Sequence, residues 1–240
     1  MPKKRLDVLL VERGLAETRS QAQALVLAGR VRGHDKAGEQ VDEAAELEVE
    51  EGPRFVSRGG EKLAHALREL RVDVTGEDCL DVGASTGGFT DCLLQAGAAR
   101  VIALDVGYGQ LHPKLRDDSR VTVVERTNVR ELECDTLPFR PTFVTADVSF
   151  ISLAKALPPA LACAAPAWRA LVLVKPQFEA GPRDVGKGGV VRDPAVRRRV
   201  VDAVSAEVPE WGARVDGAIE AHPPGPKGNR EFFLYLSATG

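Results

Sequence analysis

Cysteine, histidine and long apolar runs are scarce in this sequence of 240 residues, and each scarcity excludes a class of protein. The four cysteines, Cys79, Cys92, Cys134 and Cys163, form no CxxC pair, and the four histidines are dispersed. We therefore expect no zinc or other metal site, no disulfide bond and a reducing, cytoplasmic environment. No segment reaches the roughly 20 apolar residues of a membrane helix. The first residues also lack the cleavage site of a signal peptide.

Net charge is small as well, since 32 Lys and Arg nearly balance 35 Asp and Glu and leave -3 at pH 7. The charge is nevertheless uneven near the N-terminus. Residues 1–34 hold seven basic and three acidic side chains, whereas residues 35–51 hold eight acidic side chains and one lysine. Such polarity gives one face suited to phosphate groups. On charge alone, an ordinary solvated surface remains the alternative.

Two short helical patterns open the sequence, and a glycine-rich stretch follows them. Residues 5–13 and 19–28 predict helices, the second capped by Thr18, and strand-like pieces follow at Val31 and at 47–49. The stretch GPRFVSRGG looks like a linker that runs into an amphipathic helix. We therefore expect a small N-terminal α+β domain, a linker and a larger domain, at residues 1–56, 57–61 and 62–240.

From residue 79 onwards, short apolar strands alternate with helical segments, which is typical of a parallel sheet covered on both faces. The last two strand patterns, ARVDGAIEA and EFFLYLSA, have no helix between them and can pair as an antiparallel edge. One helical segment, SLAKALPPALACAA, contains Pro158 and Pro159, and we expect the helix to break there. The larger domain is therefore predicted to be α/β.

A glycine-rich turn between a strand and a helix is the strongest local signal. It lies in LDVGASTGGFTDCLLQAGA, residues 80–98, where the backbone can approach a ligand closely and present helix N–H groups to it. Asp81 ends the strand, and Asp105 ends the next one. An acid at the second position commonly accepts hydrogen bonds from the ribose hydroxyls of a nucleoside. The turn therefore predicts a nucleoside cofactor.

Three such ligands compete for the turn. A dinucleotide favours GxGxxG, but Ser85 interrupts that spacing, and a P-loop needs a GK[ST] ending that is absent here. S-adenosylmethionine has no phosphate groups, so a looser turn suffices, with the methionine end of the molecule near the turn and Asp81. The spacing of Asp81, Gly83, Gly87 and Asp105 therefore favours S-adenosylmethionine.

A serine hydrolase is the lesser alternative for the same turn. Residues 83–87 match GxSxG, the nucleophile elbow of α/β hydrolases, and Asp147 and His222 could complete a triad with Ser85. No HGGG-type oxyanion motif precedes the turn, and too few strands come before it.

Four polar residues are expected where the carboxyl ends of the strands converge: Lys62, Asp147, Lys175 and Glu231. Lys175 directly follows the buried strand ALVLV, and ligands bind at that end of open α/β sheets. Methyl transfer to a ribose hydroxyl needs a group that removes the proton or stabilises the emerging alkoxide, and a lysine can do either. The two carboxylates would position the amines.

The chain resembles the TlyA family, bacterial rRNA 2′-O-methyltransferases often labelled hemolysin A. The matching runs are RLDVLLVERGLAETRSQAQALVLAG, FVSRGGEKLAHAL, CLDVGASTGGFTDCLLQAGA, ALDVGYGQL, ERTNVREL, ADVSFISL, LVKPQFEAG, VGKGGVVRD and GNREFFLYL. The catalytic part is similar to FtsJ-type enzymes, whose Lys-Asp-Lys-Glu tetrad falls on Lys62, Asp147, Lys175 and Glu231. The resemblance implies a Rossmann-like class I methyltransferase fold, with a mostly parallel seven-stranded sheet and an antiparallel edge.

The turn and the resemblance together define a predicted cofactor set. It comprises Asp81, Gly83, Ser85, Thr86, Gly87, Gly88, Phe89, Asp105, Asn128 and Asp147. The resemblance places Asn128 at the adenine end of S-adenosylmethionine, with Tyr108 nearby. From the sequence alone, Asn128 is equally well a helix cap.

The N-terminal part resembles the alpha-L RNA-binding domain of ribosomal small-subunit protein four and of pseudouridine synthases. This implies RNA contacts by Lys3, Lys4, Arg5, Arg13, Arg19, Ser20, Arg30 and Arg32. The hairpin departs from the usual G-x-V-x-V-N-G, because residues 29–34 read GRVRGH and lack the asparagine. The implied partner is ribosomal RNA within ribosomal subunits, bound by a cytoplasmic protein that we expect to be a monomer.

Other interpretations stay open at this stage. Residues 178–192 are rich in glycine and read as a mobile loop beside Lys175 that closes over RNA, or as a plain surface loop. A membrane-active hemolysin conflicts with the absence of apolar spans and long cationic amphipathic helices. An RNA-binding protein without catalysis would keep the basic face but would not need the four polar residues together.

Overall fold

The computed structural model describes residues 2–50 and 52–239, and the chain divides into two compact units, Met1–Arg54 and Phe55–Gly240. The N-terminal unit contains β1 (Lys3–Arg5), α1 (Leu6–Glu12), α2 (Arg19–Leu27) and β2 (Gln40–Asp42). The predicted cap of α2 is present, since the Thr18 hydroxyl accepts a hydrogen bond from the backbone N–H of Gln21 at 3.2 Å.

The hairpin of the N-terminal unit differs from the prediction. β1 and β2 pair antiparallel, with Lys4 opposite Val41, whereas the expected strands at Val31 and residues 47–49 form a single bridge between Val31 and Val49. The apolar side chains that these segments supply still pack on the two helices. They form a small core with Leu6, Leu9, Leu10, Ala22 and Val26.

The second unit consists of helices on both faces of a seven-stranded sheet. Its helices are α3 (Arg58–Glu69), α4 (Gly88–Gln95), α5 (Pro113–Arg116), α6 (Leu153–Ala162), α7 (Pro176–Glu179) and α8 (Pro194–Glu207). Its strands are β3 (Asp78–Val82), β4 (Arg100–Leu104), β5 (Val121–Val124), β6 (Phe143–Ala146), β7 (Arg169–Val174), β8 (Ala213–Glu220) and β9 (Phe232–Ala238). Short 3₁₀ turns lie at Val129–Glu131, Cys134–Thr136, Val208–Trp211 and Pro226–Gly228.

The strands are arranged in the order β5-β4-β3-β6-β7-β9-β8. The first five are parallel, and β9 runs antiparallel to both β7 and β8, as the sequence predicted for the edge. Along β7, Leu171 and Leu173 enter one apolar layer, and Ala170, Val172 and Val174 enter the other. This alternation buries both faces, at about 1.5–3 kcal/mol for each large side chain, and it fixes which strand ends meet at one rim.

Residues 57–61, expected to be a linker, instead begin α3. The boundary between the two units falls between Arg54 and Phe55. A Cβ atom on Gly60 would lie 2.3 Å from the ring of Phe55, and one on Gly88 would lie 2.2 Å from the Ser57 hydroxyl. The glycines therefore allow the first turn of α3 to pack closely on its neighbours. Close packing and a flexible linker look alike in sequence, which explains the error.

Two further expectations were wrong. α6 continues through Pro158 and Pro159, because Leu157, Ala160 and Leu161 are buried against the sheet and offset the lost backbone hydrogen bonds. Cys134 and Cys163 form a disulfide bond, with Cα atoms 4.8 Å apart. Folding brings the 3₁₀ turn that contains Cys134 next to the end of α6, a proximity that the spacing of the cysteines could not reveal.

Candidate active site

Two adjoining cavities open at the carboxyl ends of the parallel strands. The larger has a volume of about 830 Å³, and the smaller about 370 Å³. The wall that they share contains Gly83, Ser85, Asp147 and Ser149. Ligands of open α/β sheets bind at this rim, because the loops that follow the strands meet there. The two cavities together therefore form the candidate active site.

Gly83 is the point where the glycine-rich turn touches the neighbouring strand end. Its φ is +84°, and a Cβ atom there would lie 2.6 Å from the backbone carbonyl oxygen of Asp147. A side chain at this position would therefore displace Asp147 or the turn. The backbone N–H groups of Gly83 and Ala84 both donate to the Leu104 carbonyl, at 2.8 and 3.0 Å, and this anchors the turn to β4.

Asp105 lines the larger cavity directly after β4. Its carboxylate accepts hydrogen bonds from the backbone N–H groups of Ser85 and Gly107, both at 2.7 Å. The side chain is half-buried, and a carboxylate has about four acceptor sites, so it retains capacity for the hydroxyl groups of a ligand. Backbone contacts on both sides hold it in one orientation toward the cavity.

Asp81 is not at the cavity surface, contrary to the sequence prediction. Its side chain is 0% exposed and accepts hydrogen bonds from the hydroxyls of Thr90 at 2.7 Å and Thr145 at 3.1 Å. Burial raises the pKa of this carboxyl to about 7, although the two hydroxyls oppose the shift. Asp81 therefore connects β3 to α4 and β6 beneath the turn and does not contact the cavity.

The other residues of the predicted cofactor set line different cavities. Asn128 lines the larger cavity and also caps the 3₁₀ turn, since its Oδ1 accepts from the Arg130 backbone N–H at 3.2 Å. Thr86, Gly88 and Phe89 line the smaller cavity, and the Phe89 ring also packs against Phe233 at 5.9 Å. Gly87 lines neither; its left-handed backbone caps the start of α4.

The four polar residues meet as two ion pairs along the smaller cavity. The Lys62 amine lies 2.5 Å from Glu231 Oε2, and the Lys175 amine forms an ion pair with Asp147. Glu231 is fully buried, the Lys62 and Lys175 side chains are 9% and 11% exposed, and Asp147 is 24% exposed. Because β9 is antiparallel, Phe232 pairs with Val174, so Glu231 and Lys175 come to the same rim.

Three residues that sequence reasoning did not single out complete this centre. The Gln177 amide donates to Glu231 Oε1 at 2.9 Å, so both oxygens of that carboxylate have a donor. Ser149 accepts a hydrogen bond from the Lys175 amine at 3.0 Å. A Cβ atom on Gly225 would lie 2.3 Å from Glu231 Oε1, so only glycine leaves room for the carboxylate. The signal for Gln177 was its position on the first turn after Lys175.

An exposed aromatic ring stands at the mouth of the larger cavity. Phe150 is 91% exposed, has a φ of +64° and lies with its ring centroid 5.0 Å from that of Phe178. Both rings line the cavity. Exposing a large apolar ring in a left-handed backbone conformation is costly, so such an outlier motivates a search for function.

Comparisons with known proteins show the family of this chain. A family model described as FtsJ-like methyltransferase matches residues 55–238, and one described as S4 domain matches residues 4–32. The chain is 48% identical over 238 residues to the 16S/23S rRNA (cytidine-2′-O)-methyltransferase TlyA of Mycobacterium tuberculosis, covering 97% of this chain and 89% of the relative. The chain belongs to the TlyA family of FtsJ-like methyltransferases.

Other TlyA-family relatives carry a different name. Hemolysin A from Brachyspira hyodysenteriae is 38% identical over 238 residues, which is 97% of this chain and 99% of that protein. A solved structure of a candidate hemolysin from Streptococcus thermophilus superposes with a TM-score of 0.76 at 43% identity, covering 100% of this chain and 90% of the other. These matches confirm the predicted family and fold.

A serine-hydrolase triad does not form in this TlyA-family chain. The Ser85 hydroxyl hydrogen bonds to Gln110 at 3.4 Å, Asp147 pairs with Lys175, and the His222 ring lies 5.9 Å from that of His65. The GxSxG spacing therefore reflects the cofactor-type turn. Among residues 2–50 and 52–239, every helix is too short or too polar to span a membrane.

Most of the predicted RNA-binding side chains in the N-terminal unit have acidic or carbonyl partners. Lys4 pairs with Glu12 at 2.8 Å, Arg32 pairs with Glu48 at 2.7 Å, and Arg13 donates to the carbonyls of Ala45 and Glu43. Arg5 and Arg19 both bind the buried Asp7, which the sequence reasoning did not single out. Lys3 and Ser20 are exposed, and Arg30 is half-buried.

Two further predicted features lie near the cavities. Tyr108 is 68% exposed beneath the Arg126 guanidinium, whose carbon is 4.0 Å from the ring centre, and it does not line either cavity. The glycine-rich loop at 178–192 is held by Asn229, which bonds the Gly189 carbonyl at 2.9 Å and the Val191 N–H at 3.2 Å. Asn229 thereby connects this loop to the segment that carries Glu231.

Proposed function

We propose that this chain is an S-adenosylmethionine-dependent methyltransferase that modifies a ribose 2′-hydroxyl in ribosomal RNA. The observation that carries the proposal is the placement of two lysine–carboxylate pairs, Lys62–Glu231 and Lys175–Asp147, on a cavity that adjoins a nucleoside-sized one. A protein that only binds RNA would not need these two ion pairs at the carboxyl rim of the sheet.

The larger cavity fits S-adenosylmethionine. Asp105 offers acceptor sites to ribose hydroxyls, Asn128 stands on the same wall, and the Gly83 turn leaves space free of side chains. When bound, S-adenosylmethionine supplies an electrophilic methyl group on a sulfonium. Asp147 and Ser149 line both cavities, so the residues that hold Lys175 also face the cofactor space.

The smaller cavity receives the acceptor ribose. The Lys175 amine, held by Asp147 and Ser149, meets the 2′-hydroxyl and either takes its proton or stabilises the negative charge as the C–O bond forms. The buried Lys62–Glu231 pair lines the same cavity and keeps its wall ordered. The exposed Phe150 ring provides a face on which the base of an unstacked nucleotide can lie.

The N-terminal unit docks the RNA. Its basic side chains contact phosphate groups, and recognition rests on backbone shape and on a presented ribose. We place the enzyme in the cytoplasm as a monomer that acts on ribosomal subunits. The cytidine 2′-hydroxyl named for the M. tuberculosis relative is the expected acceptor.

The deciding experiment is transfer of a tritiated methyl group to purified ribosomal subunits by wild-type protein and by Lys175→Ala. We expect the variant to lose activity by roughly 10²–10⁴-fold. Its cofactor affinity, measured by calorimetry, should stay close to the wild-type value, because Lys175 lines only the smaller cavity.

Lys114→Ala is the matched control, since Lys114 is an exposed lysine of α5 that lines neither cavity. Full activity in Lys175→Ala would refute the proposed chemistry. Mapping of 2′-O-methyl groups on the product RNA then identifies the nucleotide, and label found on a base would exclude ribose as the acceptor.

A further inference from the structure

Among the described residues of the N-terminal unit, Asp7 is the carboxylate that accepts the most side-chain hydrogen bonds. It is 0% exposed and accepts four hydrogen bonds. Arg5 donates through Nε at 3.1 Å and through Nη2 at 2.9 Å, and Arg19 Nε and Gln23 Nε2 each donate at 2.9 Å. These donors, Arg5 first among them, hold the pKa of Asp7 well below its usual range despite burial.

The two arginines keep their outer sides open. Their side chains are 42% and 55% exposed, although both reach the same buried oxygen, Asp7 Oδ2. Within the described residues, Arg19 donates only through Nε, so both terminal nitrogens of its guanidinium are free to bind another acceptor. A guanidinium held by one edge presents the other edge to a phosphate as a fixed fork.

We propose that Asp7 is a positioning residue for RNA binding, which pre-orders Arg5 and Arg19 as one phosphate-binding site. The proposal rests on the proposed function, because the RNA must contact this unit. Two guanidinium groups close together repel each other, and the buried Asp7 carboxylate that both of them contact offsets this repulsion. Without Asp7, each arginine would swing into solvent and would have to be ordered again when RNA binds.

Two explanations predict opposite effects of Asp7→Asn on RNA affinity: a change in net charge alone, and the loss of a residue that positions the arginines. The substitution removes a negative charge, so simple electrostatics predicts tighter RNA binding and an unchanged or steeper salt dependence. Positioning predicts binding that is roughly tenfold weaker, because two long side chains lose their order. It also predicts a shallower salt dependence, because fewer phosphates are neutralised.

The experiment measures the affinity of full-length protein for purified ribosomal subunits across a salt series. Asp35→Asn is the matched control, since Asp35 is an exposed acid of the same unit and its removal changes the net charge equally. We expect Asp35→Asn to bind as tightly as the wild type or more tightly, while Asp7→Asn binds more weakly. Equal or tighter binding by Asp7→Asn would overturn the proposal.

A measurement on the wild-type protein covers the case in which Asp7→Asn does not fold. The Nε–Hε signals of Arg5 and Arg19 should exchange with water much more slowly than that of Arg30, whose guanidinium forms no contact with Asp7. Equal exchange rates would show that the arginines are not held in advance.

Arg19→Ala separates this proposal from the function on which it rests. If Arg19→Ala bound subunits as tightly as the wild type, Arg19 would not contact RNA and the positioning role would fail, whereas methyl transfer at the wild-type rate would leave the proposed function intact. If Arg19→Ala bound weakly and Asp7→Asn bound normally, only the positioning role would fail.

Discussion

Asp7 in the N-terminal unit and Asp81 beneath the glycine turn are both fully buried, yet their surroundings move their pKa values in opposite directions. Asp7 has two arginines, which keep it charged, whereas Asp81 has two threonine hydroxyls, and burial raises its pKa to about 7. Glu231, which is also fully buried, has one buried lysine and one amide as donors. The partner, rather than the burial, therefore determines what a buried acid does.

The accessibility of the cation distinguishes the proposed RNA-binding site from the proposed reaction centre. The arginines on Asp7 remain about half exposed, so they can meet a phosphate in solution. The Lys62 amine on Glu231 is almost fully buried, so it contributes to the shape and charge of a cavity. Substitutions at Glu231, Asp81 and Gln177 test how the partners of a buried acid determine its role.

Removing the acid from the most buried pair should have the largest effect. Glu231→Leu leaves the Lys62 amine buried without a counter-charge, so the free energy of unfolding should fall by about 3–5 kcal/mol. The double variant Lys62→Met/Glu231→Leu should recover most of that stability but no methyl transfer. Chemical denaturation and the methyl assay measure the two quantities. A single variant as stable as the wild type would show that the pair is not structural.

A substitution of Asp81 tests how burial without a cationic partner changes the pH dependence of stability. Its folded pKa, about 7, lies above its ordinary value of 3.8, so the folded state keeps a proton that the unfolded state has lost. The stability that this proton provides is complete below about pH 4 and is lost as the pH rises through 7. The free energy of unfolding of the wild type relative to Asp81→Asn should therefore fall by on the order of 2–4 kcal/mol between pH 4 and pH 8. A pH-independent difference would place the folded pKa of Asp81 near its ordinary value.

Gln177 gives the smallest expected effect, because it is a neutral donor to an acid that Lys62 already holds. Gln177→Leu should lower kcat by roughly three- to tenfold, with cofactor affinity unchanged. Gln177→Glu should lower it further, because a second carboxylate would face Glu231. Single-turnover kinetics measure these rates. If both variants reacted at the wild-type rate, Gln177 would have no part in the reaction.

The sheet and the rim were predictable because continuous apolar strands and a glycine turn are local patterns. The same patterns could not distinguish Asp81 from Asp105. Both acids lie near strand ends, but Asp81 is the next-to-last residue of β3 and points into the fold, whereas Asp105 follows β4 and lines a cavity. One residue of register determines which face a side chain occupies.

Long-range contacts were the other part that the sequence could not reveal. Asp7 is followed by ordinary helix residues, and its partners Arg19 and Gln23 lie on the next helix, so only packing shows that they converge. The disulfide between Cys134 and Cys163 and the contact of Gln177 with Glu231 depend equally on tertiary structure. The family resemblance located Lys62, Asp147, Lys175 and Glu231, but it did not indicate which amine pairs with which acid.

The reversal of β9 has a consequence for the order in which the protein matures during synthesis. Lys62 and Glu231 are 169 residues apart in the chain, and Glu231 reaches the rim only when β9 inserts between β7 and β8. The parallel strands and the glycine turn can assemble earlier, as each emerges from the ribosome. The strands that surround the larger cavity are therefore translated before β9, and the Lys62–Glu231 pair cannot form until β9 has been added to the sheet.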